Sequence, residues 1–186
     1  SSCRPSLRYI FITLVKQYSQ IPIPSTTPRI SHTMSTEATA RRFFSAARFA
    51  VVGASSNPAK FGHKVHAWYL AHNLPVTPVN PGSGSVTVGG QDYPTVKNVQ
   101  ELADPKNTGV SIITPPPVTL DVLKAAKTAG IPSVWLQPGT FDKDVLEFAL
   151  TDGAFEAVVY GDGGRGSEGW CVLVDGEKAL KDVGKL

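Results

Sequence analysis

The sequence predicts an α/β fold of the Rossmann-like type: a doubly wound, mostly parallel sheet of about five strands with helices on both faces. Short, uniformly apolar runs alternate along the chain with stretches whose apolar residues recur at helical spacing. Such alternation favours parallel strands joined by right-handed crossover helices, because parallel neighbours need a long connection. A glycine-containing turn within residues 49–65 joins the first strand to the first of these helices.

This first unit predicts an anion site. Four apolar residues predict a buried strand that ends at Gly53, and apolar residues at helical spacing begin at Phe61. Such a turn aims free backbone N–H groups and the positive end of a helix dipole at an anion. Ser55 and Pro58 stand where a G-x-G-x-x-G turn has glycines, so an ordinary connection packed by small residues is the alternative. The position of Lys60 indicates that its side chain either contacts the ligand or is a solvated charge at the start of the helix.

The rest of the chain continues the alternation. The first helix is expected to end near Asn73, and Pro78 restricts the second strand to an edge or an end. A helix after the triple proline closes at Gly130, and another is capped by Asp142 and ended by Gly153. The other predicted elements are a second strand at 75–79, a turn at 80–84, a short ribbon at 86–90, a minor helix at 98–103 and further strands at 110–113, 133–136 and 157–160.

Composition predicts one globular domain with a tail. The 186 residues are 41% apolar and 18% charged, and no run approaches the roughly 20 apolar residues that span a bilayer. Two distant cysteines, Cys3 and Cys171, give no disulfide framework and favour a reducing compartment. Four of the 18 basic residues and none of the 15 acidic ones lie in residues 1–36. The remainder has no basic excess, so we expect no nucleic acid as a partner, and the lack of a long apolar run predicts no membrane.

Residues 1–36 form a basic segment rich in Ser, Thr and Pro, and we expect it to be disordered up to about Thr36. Its composition indicates either an organellar transit segment or an extension that precedes the true start of translation at Met34. The folded domain is assigned to residues 37–186 and a cytoplasmic location is expected, or a mitochondrial one if residues 1–33 are a transit segment. A short helix at 38–47 should dock Phe43 and Phe44 on the sheet.

In a sheet of this type, ligands bind outside the carboxyl ends of the strands. Four stretches should therefore be neighbours: residues 53–62, 80–82, 114–117 and 137–139. Proline follows three of the strands, either as a rigid apolar wall for a ligand or simply as a strand terminator. The second strand ends without the Asp or Glu that holds the ribose of NAD, which leaves room for a ligand with a phosphate on its adenosine ribose.

Five short blocks in series resemble the stand-alone CoA-binding domain family, which is related to the N-terminal domain of the succinyl-CoA synthetase α subunit. The resemblance covers roughly residues 42–174, and the blocks are Gly53-Ala54-Ser55-Ser56, Pro78-Val79-Asn80-Pro81, Gly90-Gln91-Asp92-Tyr93-Pro94-Thr95, Thr114-Pro115-Pro116 and Trp135-Leu136-Gln137-Pro138-Gly139. It implies coenzyme A as the cofactor. Its phosphates would lie at the first turn, the adenosine after the second strand, and the pantetheine arm along the third and fourth strand ends. The implied site residues are Gly53, Ala54, Ser55, Ser56, Lys60, Phe61, Gly62, Asn80, Pro81, Thr114, Pro115, Pro116, Pro117, Gln137 and Pro138.

The C-terminal part departs from this family. Many members carry an Arg-Cys pair followed by Glu-His, whereas only Cys171 is matched here. We expect Cys171 to be a small residue of the core and not a reactive thiol. The high glycine content of residues 161–166 favours a mobile turn over a second phosphate contact made by Arg165.

No positioned acid–base pair or metal set is apparent in the sequence. The first helix carries His63, His66 and His72, which should solvate its outer face or top, although His63 is close enough to the turn to contact a phosphate. We therefore expect a CoA- or acyl-CoA-binding module without demonstrated chemistry, with a homodimer or a protein partner open. The alternatives are an NADP-dependent oxidoreductase and a thiol-redox protein that pairs Cys171 with the CoA thiol.

Overall fold

A computed structural model describes residues 35–161 and 169–186 and confirms the predicted α/β fold. Its main sheet has five parallel strands in the order β2-β1-β5-β6-β7, and β3 and β4 form a separate antiparallel hairpin. The strands are β1 (Arg48–Val52), β2 (Val76–Val79), β3 (Ser85–Val88), β4 (Gln91–Pro94), β5 (Thr108–Ile112), β6 (Ser133–Leu136) and β7 (Ala157–Val159). The helices are α1 (Glu37–Phe44), α2 (Phe61–Ala71), α3 (Pro116–Ala129), α4 (Lys143–Ala149) and α5 (Val172–Asp182), with 3₁₀ turns at Val99–Glu101 and Pro105–Asn107.

Helices cover both faces of the sheet, and β1 shows how one strand serves both. Phe49 and Val51 pack into the core formed with α1, α2 and α5, whereas Ala50 and Val52 pack into the core formed with α3 and α4. Because successive side chains of a strand point to opposite faces, a strand covered on both sides is mainly apolar, and the buried Ser111 of β5 is hydrogen-bonded to the Tyr69 hydroxyl at 2.7 Å. The uniformly apolar runs in the sequence therefore mark the central strands correctly.

The predicted N-terminal helix docks as expected. Phe43 and Phe44 are fully buried, and their ring centroids lie 5.4 Å and 5.6 Å from that of Trp135 on β6. Gly109 of β5 makes room for this cluster, because a Cβ at that position would come within 3.1 Å of the Phe43 ring. Aromatic pairs at such separations stabilise a core beyond the area they bury.

The edge strand and the helix ends lie where the proline, asparagine and glycine residues of the sequence predict them. Pro78 lies in β2, at the edge of the sheet, where its missing N–H interrupts no pairing with β1. Asn73 has a left-handed φ of 55° just beyond α2, and Gly130 has a φ of 77° at the end of α3. The expected ribbon is the β3–β4 hairpin, and the expected minor helix is a single 3₁₀ turn.

Helix α5 was not predicted from the sequence. It packs against α1 and α2, and Gly176 lies under the Trp68 ring, where a Cβ would be 2.6 Å from the ring carbons. The glycine weakens the local helical signal because it lowers helix propensity. In the folded chain the same glycine allows the close approach of α5 to α2.

Two residues assigned to the N-terminal segment contact the domain. The Thr36 side chain caps α1 by accepting a hydrogen bond from the Thr39 N–H, and the Ser35 hydroxyl accepts one from the Tyr160 N–H at 2.6 Å. The expectations for residues 1–34 and for the loop around Arg165 lie outside the described residues. Within residues 35–161 and 169–186, no helix is long and apolar enough to cross a bilayer.

Candidate functional site

Two adjoining cavities lie at the carboxyl ends of the sheet strands, and Thr114, just after β5, lines both. The first has a volume of about 390 Å³ and is formed by the ends of β1 and β2, the segment after the hairpin and one side of α3. The second has a volume of about 500 Å³ and lies between the ends of β5 and β6 and the first turns of α2, α3 and α5. Both volumes fall in the range of small-molecule sites.

Two glycines set the geometry of the turn between β1 and α2. Gly53 has a φ of +92°, which L side chains rarely adopt. Gly62, in the first turn of α2, is so close to that turn that a Cβ there would lie 1.9 Å from the Gly53 carbonyl oxygen. The third glycine of a dinucleotide-binding turn serves the same purpose, which is close packing of helix on strand. Gly62 is thus a structural residue beneath the site.

The N-terminus of α2 carries no side-chain cap. Its N-cap residue is Lys60, whereas α4 is capped by the Asp142 side chain. Helix α3 also begins without a side-chain cap, but its first two residues are Pro116 and Pro117, which have no N–H to offer. Of these three helices, α2 is therefore the one whose start combines a partial positive charge with N–H donors that suit an anion; α5 also begins at this edge without a cap from its own N-cap side chain, but its Val172 N–H donates to Gln137.

Hydrogen bonds hold the loop before α2 in one conformation. The Asn57 N–H donates to the Ser55 hydroxyl at 3.1 Å, and the Ala59 N–H donates to the Asn57 side-chain oxygen at 2.9 Å. His63 Nδ1 lies 2.9 Å from the Ser55 carbonyl oxygen, and since a carbonyl only accepts, Nδ1 carries the proton. The loop is therefore organised before any ligand arrives.

Ser56 has a different role from its neighbours in the loop. Its hydroxyl accepts a hydrogen bond from the Thr87 N–H of β3 at 2.9 Å. Ser56 lies outside both cavity linings. It joins the loop to the hairpin, so the structure gives it a positioning contact and places it outside the cavity wall.

Asn80 lines the first cavity and also connects two of its walls. Its side-chain nitrogen donates to the Ala54 carbonyl at 2.9 Å, and its side-chain oxygen accepts from the Gly82 N–H at 2.8 Å. A carboxylate could not make the first of these bonds because it has no hydrogen to donate. The absence of an acid after β2 thus has a structural cause in addition to any effect on ligand choice.

The first cavity contains charges of both signs. Lys60 and Lys97 line it together with Asp121 of α3. Neither Lys97 nor Asp121 was predicted from the sequence. A parallel bridge between Val79 and Val96 brings Lys97 to the end of β2. For Asp121 a signal existed, because Val118, Asp121, Val122 and Ala125 share one face of a helix at spacings of three and four.

The second cavity is bounded mainly by apolar side chains. Phe61 and Val174 line it although they are 61% and 59% exposed, and Pro115, Pro116 and Pro138 complete much of its wall. Cys171 also lines this cavity as a free, partly exposed cysteine at the N-cap of α5. The expectation of a small core residue at this position is therefore wrong, because α5 begins at the cavity edge.

One polar side chain is buried at this second cavity. Gln137 is only 5% exposed, and its side-chain oxygen accepts a hydrogen bond from the Val172 N–H at 3.3 Å. Among the described residues its side-chain nitrogen has no hydrogen-bond partner.

The histidines of α2 differ from the sequence expectation. His66 is fully buried, with its ring 5.3 Å from that of Tyr93 on β4, because the hairpin covers this side of α2. Burial, with a smaller effect of His63, lowers the pKa of His66 from 6.5 to about 4. His72 Nδ1 lies 2.7 Å from the Trp68 carbonyl oxygen. Across the part of the chain that the structure describes, no group of three or more His, Cys, Asp or Glu residues could hold a metal ion.

The structure brings most of the expected site residues to these two cavities. The first is lined by Gly53, Ala54, Ser55, Lys60, Asn80, Pro81 and Thr114, and the second by Phe61, Thr114, Pro115, Pro116, Gln137 and Pro138. Ser56, Gly62 and Pro117 line neither. Ser56 contacts the hairpin, Gly62 packs against the turn after β1, and Pro117 is exposed on α3.

Solved structures from archaea and bacteria share this fold. A conserved hypothetical protein from Pyrococcus furiosus is 34% identical, with a TM-score of 0.52, and the match covers 60% of this chain and 91% of that one. A structure from Thermus thermophilus is 25% identical with a TM-score of 0.60, covering 78% and 99% of the two chains. A hypothetical protein from Pyrococcus horikoshii, at 23% identity and a TM-score of 0.62, covers 85% and 96% and shows the fold alone.

Among curated proteins, none matches the chain. The sequence profile of the CoA binding domain matches residues 47–160, which is more than half of the chain. This range runs from the start of β1 to the end of β7 and so contains the whole main sheet and most of both cavity walls. The protein therefore belongs to the CoA binding domain family.

Proposed function

We propose that the protein binds coenzyme A or an acyl-CoA across the two adjoining cavities. The observation that carries the proposal is their chemical contrast. Both linings are mostly apolar, but the first carries two lysines and an aspartate beside the start of α2, whereas none of the described residues that line the second is charged, and the two meet at Thr114. CoA has the same contrast, with phosphates on a nucleotide at one end and a neutral pantetheine arm at the other.

In this arrangement the nucleotide occupies the first cavity. Backbone N–H groups at the start of α2, with Lys60 and Lys97, bind the phosphates by charge-assisted hydrogen bonds. Asp121 accepts hydrogen bonds from hydroxyl or amino groups of the adenosine, which explains a carboxylate in a cavity that otherwise favours anions. The pantetheine arm passes Thr114 and lies along Pro115, Pro116 and Pro138.

An NADP-dependent oxidoreductase is the competing function, since NADP also carries a pyrophosphate and a phosphate on its adenosine ribose. NADP ends in a second ribose and a flat nicotinamide, which a dehydrogenase holds beside a proton donor. The second cavity presents prolines, Phe61 and Val174 in that place. We therefore expect CoA to bind and the nicotinamide cofactor to be excluded.

Isothermal titration calorimetry under reducing conditions tests the proposal. CoA should bind, dephospho-CoA and pantetheine should bind progressively more weakly, and NADPH should give no detectable heat of binding. Lys60→Ala or Lys97→Ala should each weaken CoA binding by about 1–3 kcal/mol, the range for a hydrogen bond to a charged group. Lys181→Ala is the matched control, because Lys181 is exposed on α5 and lies outside both cavities.

Two results would contradict this function. Tighter binding of NADPH than of CoA would indicate an oxidoreductase, and failure of both ligands to bind would leave only the fold. An unchanged dissociation constant in Lys60→Ala would instead place this lysine on the solvated surface and leave the anion site to the backbone and Lys97.

A further inference from the structure

Cys171 is placed where the far end of a ligand in the second cavity would meet it. It occupies the N-cap of α5, its side chain makes no capping hydrogen bond, and it lines the cavity with Thr140 and Pro138 of the loop after β6. A free cysteine that is partly exposed at a cavity is accessible to a sulfur atom bound there, whereas a cysteine in the core is not.

Gln137 provides an independent sign that a ligand occupies this end of the cavity. The hydrogen bond from the Val172 N–H identifies its side-chain oxygen and fixes the amide beside Cys171. The nitrogen end is buried and, within the described residues, lacks an acceptor. Buried polar groups in folded proteins nearly always have a partner. The pantetheine arm has two amide carbonyls, which are acceptors of the required kind.

Resting on the CoA-binding function above, we propose that Cys171 forms a reversible mixed disulfide with the CoA thiol, with Gln137 positioning the pantetheine arm. The reactant is a disulfide of CoA. The Cys171 thiolate attacks one sulfur of this disulfide, the original S–S bond breaks, and a new one joins Cys171 to one CoA. The second CoA leaves as a thiolate and takes up the proton that Cys171 lost.

This exchange is balanced without another reactant. One disulfide is consumed and one is formed, so no net oxidation occurs, and attack by a free thiol on the mixed disulfide reverses the step. The fraction of the protein that is modified at Cys171 would thus depend on the ratio of CoA disulfide to CoA thiol in its surroundings. When Cys171 is modified, the second cavity is filled and free CoA is excluded.

The test compares three disulfides by intact-mass spectrometry and peptide mapping. The probes are CoA disulfide, pantethine, which has the same arm without the nucleotide, and glutathione disulfide. We expect a CoA adduct on Cys171 that forms at least tenfold faster from CoA disulfide than from either other disulfide, because the nucleotide cavity holds the reactant in place. Cys171→Ser is the control, and peptide mapping should find no adduct at residue 171 of this variant with any of the three disulfides.

Two variants separate binding from positioning. Lys60→Ala should slow the reaction with CoA disulfide and leave the reaction with pantethine unchanged, because only the former has phosphates. Gln137→Glu keeps an acceptor for the Val172 N–H but removes the amide nitrogen as a donor. It should slow the reaction of Cys171 with CoA disulfide by about tenfold, while the reaction with glutathione disulfide, which has no pantetheine arm, stays the same.

Reaction of Cys171 at equal rates with all three disulfides would overturn the inference. CoA binding measured by calorimetry in the presence of a reductant distinguishes its failure from that of the function on which it rests. If CoA binds but no adduct forms on Cys171, this inference alone is wrong. If CoA does not bind, the proposed function is wrong as well.

Discussion

Gly62 allows helix α2 to rest directly on the turn after β1. A Cβ at this residue would lie 1.9 Å from the Gly53 carbonyl oxygen, far inside any permitted contact, and the atom it meets is backbone. The obstruction cannot be relieved by a change of rotamer. Any larger residue must push α2 away from β1, and with it the start of the helix at Lys60, which lines the first cavity.

Gly62→Ala should therefore destabilise the protein by roughly 1–3 kcal/mol or more, the range for overpacking a well-packed interior. It should also weaken CoA binding because the start of α2 moves. Gly84→Ala is the matched control, since a Cβ added at Gly84 would meet no atom within 4 Å and the residue has no positive φ. Urea denaturation of both variants measures the effect, and equal midpoints would contradict this account of Gly62.

His66 should make the stability of the protein depend on pH. Its pKa is lowered from 6.5 to about 4, chiefly by burial, so the unfolded chain binds a proton at this position before the folded chain does. The contribution of neutral His66 to the free energy of unfolding is therefore fully present above about pH 6.5 and is lost progressively as the pH falls towards 4.

Between pH 7 and pH 4.5 we expect the free energy of unfolding to fall by roughly 1–3 kcal/mol more in the wild type than in His66→Phe. Phenylalanine keeps a ring beside Tyr93 but does not titrate. Comparing the two proteins cancels the contribution of the carboxylates, which titrate in both. The same pH dependence in both proteins would show that His66 does not govern it.

At the scale of secondary-structure elements, the first cavity depends on contacts between loops. Asn80 connects the turn after β2 to the loop after β1, and Ser56 connects that loop to the hairpin. These hydrogen bonds join segments 26 and 31 residues apart in sequence. The walls of the cavity are thus held together by one side chain that lines it, Asn80, and by one that does not, Ser56.

Asn80→Asp should separate two of these walls. It retains the acceptor for the Gly82 N–H but replaces the donor to Ala54 with an oxygen that repels the Ala54 carbonyl. We expect a loss of about 1–3 kcal/mol in stability, the penalty for breaking such a bond at a partly buried position, together with weaker CoA binding. Gln91→Glu, on an exposed residue of β4, controls for the change of an amide to a carboxylate. Similar melting temperatures for the two variants would argue against this role.

At the scale of the whole molecule, α1 and α5 close one face of the sheet. They pack against each other, and Trp135 of β6 donates its indole N–H to the Trp170 carbonyl at 2.7 Å just before α5. The chain therefore returns at its C-terminal end to cover the aromatic cluster that its N-terminal helix supplies. The same return places Cys171 at the second cavity.

Truncation at the N-terminus tests how much of the preceding segment the domain needs. A chain starting at Met34 should keep the melting temperature and the CoA affinity of the full-length protein. A chain starting at Glu37 should lose about 1 kcal/mol or more, because it lacks the Thr36 cap of α1 and the Ser35 hydrogen bonds near β7. A large loss of stability already at Met34 would show that earlier residues contribute to the fold.

Much of the fold was readable from the sequence because its signals are local. Apolar runs bounded by glycine and proline identify buried parallel strands, and Pro78 restricts its strand to an edge or an end. The turn from Gly53 to Phe61 was also recognisable as a connection between a strand and a helix, since it separates an apolar run from apolar residues at helical spacing. These features depend on neighbours in the chain, so the chain alone determines them.

The tertiary structure decided what covers each surface. His66 and Cys171 were assigned to the wrong environments because helical spacing does not reveal that the hairpin covers α2 or that α5 begins at a cavity. Lys97 reaches the first cavity only through the pairing of Val96 with Val79. Burial and charge at a site depend on contacts between segments distant in sequence, and those contacts arise only when the whole sheet and its connections have packed.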